Sequence, residues 1–547
     1  MKKFLKKNFM NFENTLLRFP VSTFMGLVIG ILMCLVVDDY SFSDKLIGYV
    51  TTCLVGLFVF IFIEILNGKL NKKPTEISGM LSYVPGFVIV FLTYRLIGRT
   101  WDNEFSKNFI YFFGLCFFFI SLSLIAEKYN NPTNHEFYVY RIIRSLFIST
   151  LLSFIVWLGV TLIIFSIFML FGLRGMDEYI LKAMALSLGT LNLWMFLNNF
   201  PSEAEEDSWE EPQFGLKILN NILIPIEIIF NLVLIAYFVK IIAQGVMPLR
   251  IVCYLALVYG ILAFFIIFFS PERRKNSNVL IRFYLPCSSL VFLGLMYYTM
   301  GHRISNFGLT ENRYYVVLIG IYLTLFMIYN ILCNRKSNVI SIAVLALFIL
   351  VSTIGPINSY NMSLNSQAKR FDKLLKENNI STDSTNVDVS KLSRTDKNDL
   401  SSILNYFYHR DELGRLQENK KIDVTKLQGE ASEENIYENF EIYHFSKLNS
   451  MDISTYNEMV EISSNKVNDF KVEVQGEKVI FSLNGEELTY DVDNLSETLK
   501  KLDVEKPFEL DFSNNEKIKV FITELSIPFN TESEEYGLEY FEGYIFK

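Results

Sequence analysis

The chain is 547 residues long, 51% hydrophobic and 15% aromatic, with a mean hydropathy of +0.29, an apolar content above that of ordinary soluble domains. Its 50 basic and 58 acidic side chains leave a net charge of −8, but residues 1–355 carry 28 and 21 of them while residues 356–547 carry 22 and 37. A single soluble domain, a disordered chain and a disulfide scaffold are therefore excluded.

A helix needs about 20 mostly apolar residues to cross roughly 30 Å of hydrocarbon, and only helices or closed barrels satisfy their backbone there. Eleven segments meet that length, at approximately 19–37, 46–66, 78–98, 108–126, 145–171, 179–200, 217–243, 250–270, 278–300, 314–334 and 338–355. Runs such as Val21–Val37 and Ser145–Gly172 lack the alternation of barrel strands. Residues 1–355 thus read as an α-helical polytopic membrane domain of about eleven spans. The Met-Lys-Lys start leads into an apolar core with no small-residue cleavage site, the pattern of a retained signal anchor.

Orientation follows from the basic residues of short loops. With the N-terminus in the cytoplasm, the inner stretches hold sixteen Lys and Arg and the outer ones, before the tail, hold seven. An odd number of spans then exports residues 356–547. The loop 201–216 is expected inside although it carries Glu203, Glu205, Glu206, Asp207, Glu210 and Glu211, because acidic residues contribute little to the rule.

Within the spans, Gly26 and Gly30 permit close helix packing. Trp101, Tyr111 and Tyr297 read as interfacial belt residues, and Glu64, Arg95, Lys240 and Arg282, near span ends, as snorkelling side chains. All six cysteines (Cys34, Cys53, Cys116, Cys253, Cys287 and Cys333) fall in spans and read as small apolar residues.

Glu227 stands out. It lies about ten residues into the span 217–243, roughly 15 Å deep by helical rise, where a carboxyl is costly. Asn220, Glu227 and Asn231 are spaced to share one helical stripe, and Pro225 can kink the helix beside them. Two readings stand: a polar lining or proton-binding carboxyl of an ion or substrate path, and a neutral carboxyl hydrogen-bonded across a helix interface.

The loop 301–315 is the densest polar cluster between two spans. Thr310 can cap the following helix and Glu311 suits its first turn, with Tyr314 and Tyr315 as interface anchors. His302, Arg303 and Arg313 are left over, and could bind a headgroup or the acidic tail. Together with Glu311 and Asn312 they make a candidate outer-loop site.

Beyond Pro356 the pattern changes. Residues 356–384 read as an amphipathic helix and linker, with Ala368, Phe371, Leu374 and Leu375 on one face and a loop over Ser381–Ser390. A second helix follows Asp396, with Leu400, Ile403, Leu404 and Phe407 on one side. Strands are expected over Tyr437–Phe445, Phe470–Val474, Lys478–Leu483, Glu487–Val492, Phe508–Phe512, Lys517–Ile527 and Leu538–Phe546, and a helix over Asn494–Leu502. Asn484-Gly485 is a hairpin signal, since both residues tolerate positive φ. Residues 385–547 thus read as a small extracytoplasmic α+β domain, long enough to bury a core.

The run Gly308-Leu-Thr-Glu-Asn-Arg-Tyr314 resembles the signature of an uncharacterised bacterial membrane family, domain of unknown function 4153. The resemblance also takes in Pro225–Ile241, Gly355-Pro356 and the segment Ser366-Gln-Ala-Lys-Arg370. It implies a multi-pass bacterial inner-membrane protein and offers no catalytic residues to carry over.

No P-loop, dinucleotide fingerprint, zincin or nucleophile-elbow motif is present. The four histidines (His135, His302, His409 and His444) are scattered over loops and the tail, so neither a metal nor another cofactor is expected. The acidic tail argues against nucleic acid as a partner. The leading expectation is a non-enzymatic protein of the bacterial cell envelope, whose exported domain binds or senses a partner, with the lipid bilayer and an envelope protein or lipid headgroup as partners. The alternative is a transporter or permease with a polar path near Glu227, and a membrane-embedded lipid or glycan transferase comes third.

Overall fold

In a computed structural model of the chain, the described residues run from Glu13 to Asn378 apart from 14, 39–42, 71–75, 100–104, 129–134, 172, 174, 202–211, 245–248, 272–278 and 334–335. Beyond Asn378 they comprise the helices and strands given below, a short helix Leu413–Gln417 and a few other positions. The acidic residues of loop 201–216, Trp101, the loop Ser381–Ser390, the turn Asn484-Gly485 and the segment Asn494–Leu502 lie outside the described residues. The chain divides into two compact units, Met1–Arg370 and Phe371–Lys547.

In the first unit, among the described residues, nine helices are long and apolar enough to cross a membrane. They are α1 Pro20–Asp38, α2 Lys45–Lys69, α3 Ile77–Gly98, α4 Lys107–Lys128, α5 His135–Phe171, α6 Met176–Asn198, α7 Gln213–Lys240, α9 Leu280–Phe307 and α10 Glu311–Leu332; the shorter apolar helices α8 Cys253–Phe269 and α11 Asn338–Thr353 also occur. Helices apolar all round belong in lipid or in a core, and these do both. Phe147, Leu162, Leu170 and Phe171 of α5 are each more than two-thirds exposed, whereas Leu57, Tyr138, Leu197, Ile267, Leu285 and Met327 are buried together in one apolar cluster. The unit is a multi-pass helical membrane domain.

Several helices differ from their expected form. Helix α5 begins at His135 and has 37 residues, about 55 Å at helical rise, so His135 opens a helix rather than lying in a loop. Its first turn is buried and polar: Asn338 Nδ2 donates to Glu136 Oε2 at 3.2 Å and to Phe268 O at 3.1 Å, joining the starts of α5 and α11 to the end of α8. Gly26 and Gly30 of α1 do face a close neighbour, since a Cβ on either would collide with Leu193 or Thr190 of α6. The hydroxyl of Tyr297 lies 2.9 Å from Thr324 Oγ1 and links α9 to α10.

Glu64 is not a snorkelling side chain. It is only 3% exposed. Its Oε1 accepts from Val21 N at 2.7 Å and Ser22 N at 3.2 Å, and its Oε2 accepts from the Ser22 hydroxyl. A helix starts with amides that have no intrahelical acceptor, and Pro20 suits that first position because it has no N–H to satisfy. The Glu64 carboxylate takes the amides that follow and complements the positive end of the helix dipole.

The helix α12, Ser359–Glu377, follows. In the second unit its last turns bury Phe371, Leu374 and Leu375. Helix α13, Arg394–Tyr408, buries Leu400, Ile403, Leu404 and Phe407, the stripe expected from periodicity. Its N-cap is Ser393, whose Oγ accepts from Asp396 N at 3.2 Å. Lys420 ties back to Asp372 Oδ1 at 2.7 Å.

The strands are β1 Ile442–His444, β2 Met459–Ser463, β3 Phe470–Gln475, β4 Lys478–Leu483, β5 Glu486–Asp491, β6 Phe508–Asp511, β7 Lys519–Ser526, β8 Phe529–Asn530, β9 Glu535–Tyr536 and β10 Tyr540–Phe546. One sheet has the order β1-β7-β10-β2, with β6 also on β7. Because β1 pairs with residues 524–526 and β6 with 519–522, the two lie end to end along one edge of β7. Strands β3, β4 and β5 form a separate antiparallel sheet in which Leu483 faces Glu486, the register a two-residue hairpin requires.

Candidate functional site

Two places in the first unit gather the polar residues singled out from the sequence. The first is the junction of α9 and α10. The expected loop 301–315 shrinks to Gly308–Thr310, because α9 continues through Phe307 and ends at Gly308, with φ 68° and ψ 176°. His302 and Arg303 are therefore helical, and Asn306 Nδ2 donates to His302 Nδ1 at 3.2 Å. Thr310 occupies the N-cap of α10 without a side-chain cap bond, Glu311 is in the first turn and Asn312 is exposed.

The first part of α12 clasps this junction. Ser366 Oγ accepts from Leu309 N at 2.8 Å, and Gln367 Nε2 donates to Phe307 O at 3.1 Å and to Leu309 O at 3.0 Å. Arg313 Nη1 also donates to Phe307 O, at 2.9 Å. The guanidiniums of Arg313 and Arg370 sit 5.7 and 5.8 Å from the Phe307 ring centroid, in cation–π range. Further along, Tyr314 Oη donates to Ile357 O at 2.8 Å and Ser359 Oγ donates to Tyr315 Oη at 3.0 Å. Arg303 and Arg370 both act electrostatically on Arg313, so like charges converge on it. Gly308-Leu-Thr-Glu-Asn-Arg-Tyr314 and Ser366-Gln-Ala-Lys-Arg370, read separately from the sequence, are two sides of one contact. Gln367 was not a predicted site residue; its sequence signal is a polar side chain on the stripe that also carries Leu364 and Phe371.

The second place is inside the bundle. Glu227 and Asn231 are buried, 0% and 1% exposed, but Asn220 is exposed and not on their stripe. The reason is a π-helical turn, Leu219–Leu223, in which the Ile224 amide bonds to Leu219 O. Each π residue advances less than an α residue, which rotates Asn220 by roughly a quarter turn from the face expected of a regular helix. From α7, Asn231 Nδ2 donates to Tyr259 Oη of α8 at 2.8 Å, and Tyr284 Oη of α9 donates to Asn231 Oδ1 at 2.9 Å. Ser288 Oγ donates to Leu285 O at 3.1 Å, so its 2.6 Å contact with Tyr259 is the phenol donating to Ser288. Neither oxygen of Glu227 has a hydrogen-bond partner among the described residues. Tyr259, Tyr284 and Ser288 could not be picked from the sequence, because tyrosines and serines are common along these apolar runs.

Among the described residues, no three His, Cys, Asp or Glu side chains gather as a metal site would need. The fold and these two sites define a multi-pass helical membrane protein with a buried polar cluster and a clasped junction between two of its last helices. Over residues 77–390, more than half its length, the chain matches the family described as Domain of unknown function (DUF4153), and it belongs to that family. Both sites fall inside the matched region. An uncharacterised protein of Pasteurella multocida is 26% identical over 166 residues, which is 30% of this chain. The match spans 28% of that relative's length. No solved structure matches the chain.

Proposed function

We propose that the chain is an eleven-span protein of a bacterial plasma membrane, N-terminus in the cytoplasm and residues 385–547 exported, and that it works without catalysing a reaction. The exported α+β domain binds or senses an envelope partner, and the helical unit anchors it. Counting α8 and α11 with the nine longer helices supports the number of spans, and the excess of basic residues in the inner loops supports the orientation. The observation that carries the reading is the clasp. A helix held by Ser366 and Gln367 on the backbone of Phe307 and Leu309 is suited to anchoring the domain that follows it in the chain. Arg303, Arg313 and Arg370 give the clasp a cationic character that suits an anionic lipid headgroup.

A second reading, transport along a path near Glu227, is favoured by the buried carboxyl with no partner on either oxygen. Two measurements decide. A reporter fused after residue 360 is expected to behave as an exported one, and cytoplasmic activity there overturns the topology. In a strain lacking the protein, the full chain is expected to restore envelope integrity under osmotic or detergent stress, and a chain ending at residue 384 is not. Restoration by the shortened chain removes the exported domain from the function and leaves the transport reading.

A further inference from the structure

Glu227 poses a specific physical problem. It is fully buried, and neither carboxyl oxygen is hydrogen-bonded among the described residues. An uncompensated buried carboxylate costs several kcal/mol, and a native fold rarely keeps such a group without a reason. The helices that carry Glu227 and Tyr284 each hold a backbone irregularity. The π turn Leu219–Leu223 in α7 stands just before Pro225, and the π turn Leu280–Tyr284 in α9 stands just before Pro286. In both, an amide bonds five residues back: Ile224 to Leu219 O and Leu285 to Leu280 O. Pro225 and Pro286 have no N–H, which leaves a carbonyl of each preceding turn without its usual amide donor. Irregular helices at membrane depth occur where backbone carbonyls line a site, and π turns concentrate at functional positions.

Two neutral polar side chains can be placed near Glu227. Asn231 lies one turn along α7, and Tyr259 of α8 is close enough to interact with the Glu227 charge. Tyr284 and Ser288 of α9 complete the hydrogen-bonded chain. Among the described residues, the titratable group shown to act with the carboxyl is the phenol of Tyr259. No Lys, Arg or His among the described residues acts on it. One carboxylate with neutral oxygens around it balances a single positive charge, so a divalent ion would be left under-compensated.

We propose that Glu227, with Asn231 one turn along α7, is the binding site of one monovalent cation, a proton or an alkali metal ion. The site uses the residues of the transport reading but does not need movement: a cation that binds and stays satisfies it. Its failure would also leave the exported-domain reading intact.

The test is thermal unfolding of the purified full chain in detergent. Sodium, potassium and lithium chloride are titrated against choline chloride at constant ionic strength, and the series is repeated across pH 5–9. A cation that binds only the folded state raises Tm in a saturable way. For an alkali ion, wild type is expected to show that rise for at least one salt and Glu227→Gln is expected to lose it. For a proton, no salt is distinguished from choline, but wild type shows a pH dependence of Tm that Glu227→Gln lacks. Should the Gln variant not accumulate, Tyr284→Phe, which removes a donor to Asn231 and keeps the carboxyl, is expected to move the half-saturating salt concentration or the pH midpoint several-fold. Wild type and variant responding identically to every salt and across the pH range overturns the proposal.

Discussion

Gly308→Ala tests the clasp most directly. With φ 68° and ψ 176°, Gly308 sits in a region of backbone space that essentially only glycine enters. Forcing an L-residue there costs about 1–3 kcal/mol. A Cβ would also stand 2.8 Å from Gln367 Nε2 and 3.4 Å from Ser366 Oγ, so the Gln367 amide must move. That breaks its bonds to Phe307 O and Leu309 O, each worth about 0.5–1.5 kcal/mol net. The expected total is about 2–6 kcal/mol, of which roughly 1–3 passes through Gln367. The two contributions separate in a double-mutant cycle. In a Gln367→Ala background, Gly308→Ala should cost only the backbone part. The assay is unfolding of the full chain in lipid–detergent micelles, combined with hydrogen exchange of the amides over 359–370, which should speed up in either single variant. Equal cost of Gly308→Ala in both backgrounds, or unchanged exchange in α12, would falsify the clasp as drawn.

Other outcomes follow from the packing. Glu64→Leu strands the amides of Val21 and Ser22 and the Ser22 hydroxyl, and should cost about 3–5 kcal/mol; Glu64→Gln keeps an acceptor for the amides, so melting in detergent should rank wild type, Gln, Leu, and a Leu variant as stable as wild type refutes the cap. A fragment 371–547, cysteine-free, should be soluble and unfold cooperatively with or without reductant, and should melt higher than 385–547, which lacks Phe371, Leu374 and Leu375; equal melting means those side chains add nothing to its core. Ser393→Ala in that fragment should lower stability by about 1 kcal/mol through loss of the α13 N-cap, read from the urea midpoint at unchanged slope; an unmoved midpoint removes the cap from the account.

Much of this protein is written in local sequence. Hydropathy located the nine long apolar helices and the two shorter ones found among the described residues, because the apolar character of a segment is a property of about 20 consecutive residues and needs no knowledge of neighbours. The stripes Leu400, Ile403, Leu404, Phe407 and Phe371, Leu374, Leu375 were legible for the same reason: helical periodicity alone sets which residues share a face. The β4–β5 pairing followed from a two-residue turn between strand-like runs.

Partnership of polar groups was not legible, because it is decided by packing between segments far apart in the chain. Glu64 looked like any carboxylate near a helix end, and only the approach of α1, some 42 residues away, turned it into a cap. The stripe Asn220, Glu227, Asn231 assumed an unbroken α-helix; one π turn rotated Asn220 away and left the other two inside. The motif Gly308–Tyr314 could be recognised but not explained until α12 brought Gln367 onto its backbone. Local sequence decides whether a segment is a helix and whether it belongs in lipid. Which oxygen meets which hydrogen in the interior depends on side chains brought within about 3 Å of one another, and tertiary structure alone provides that.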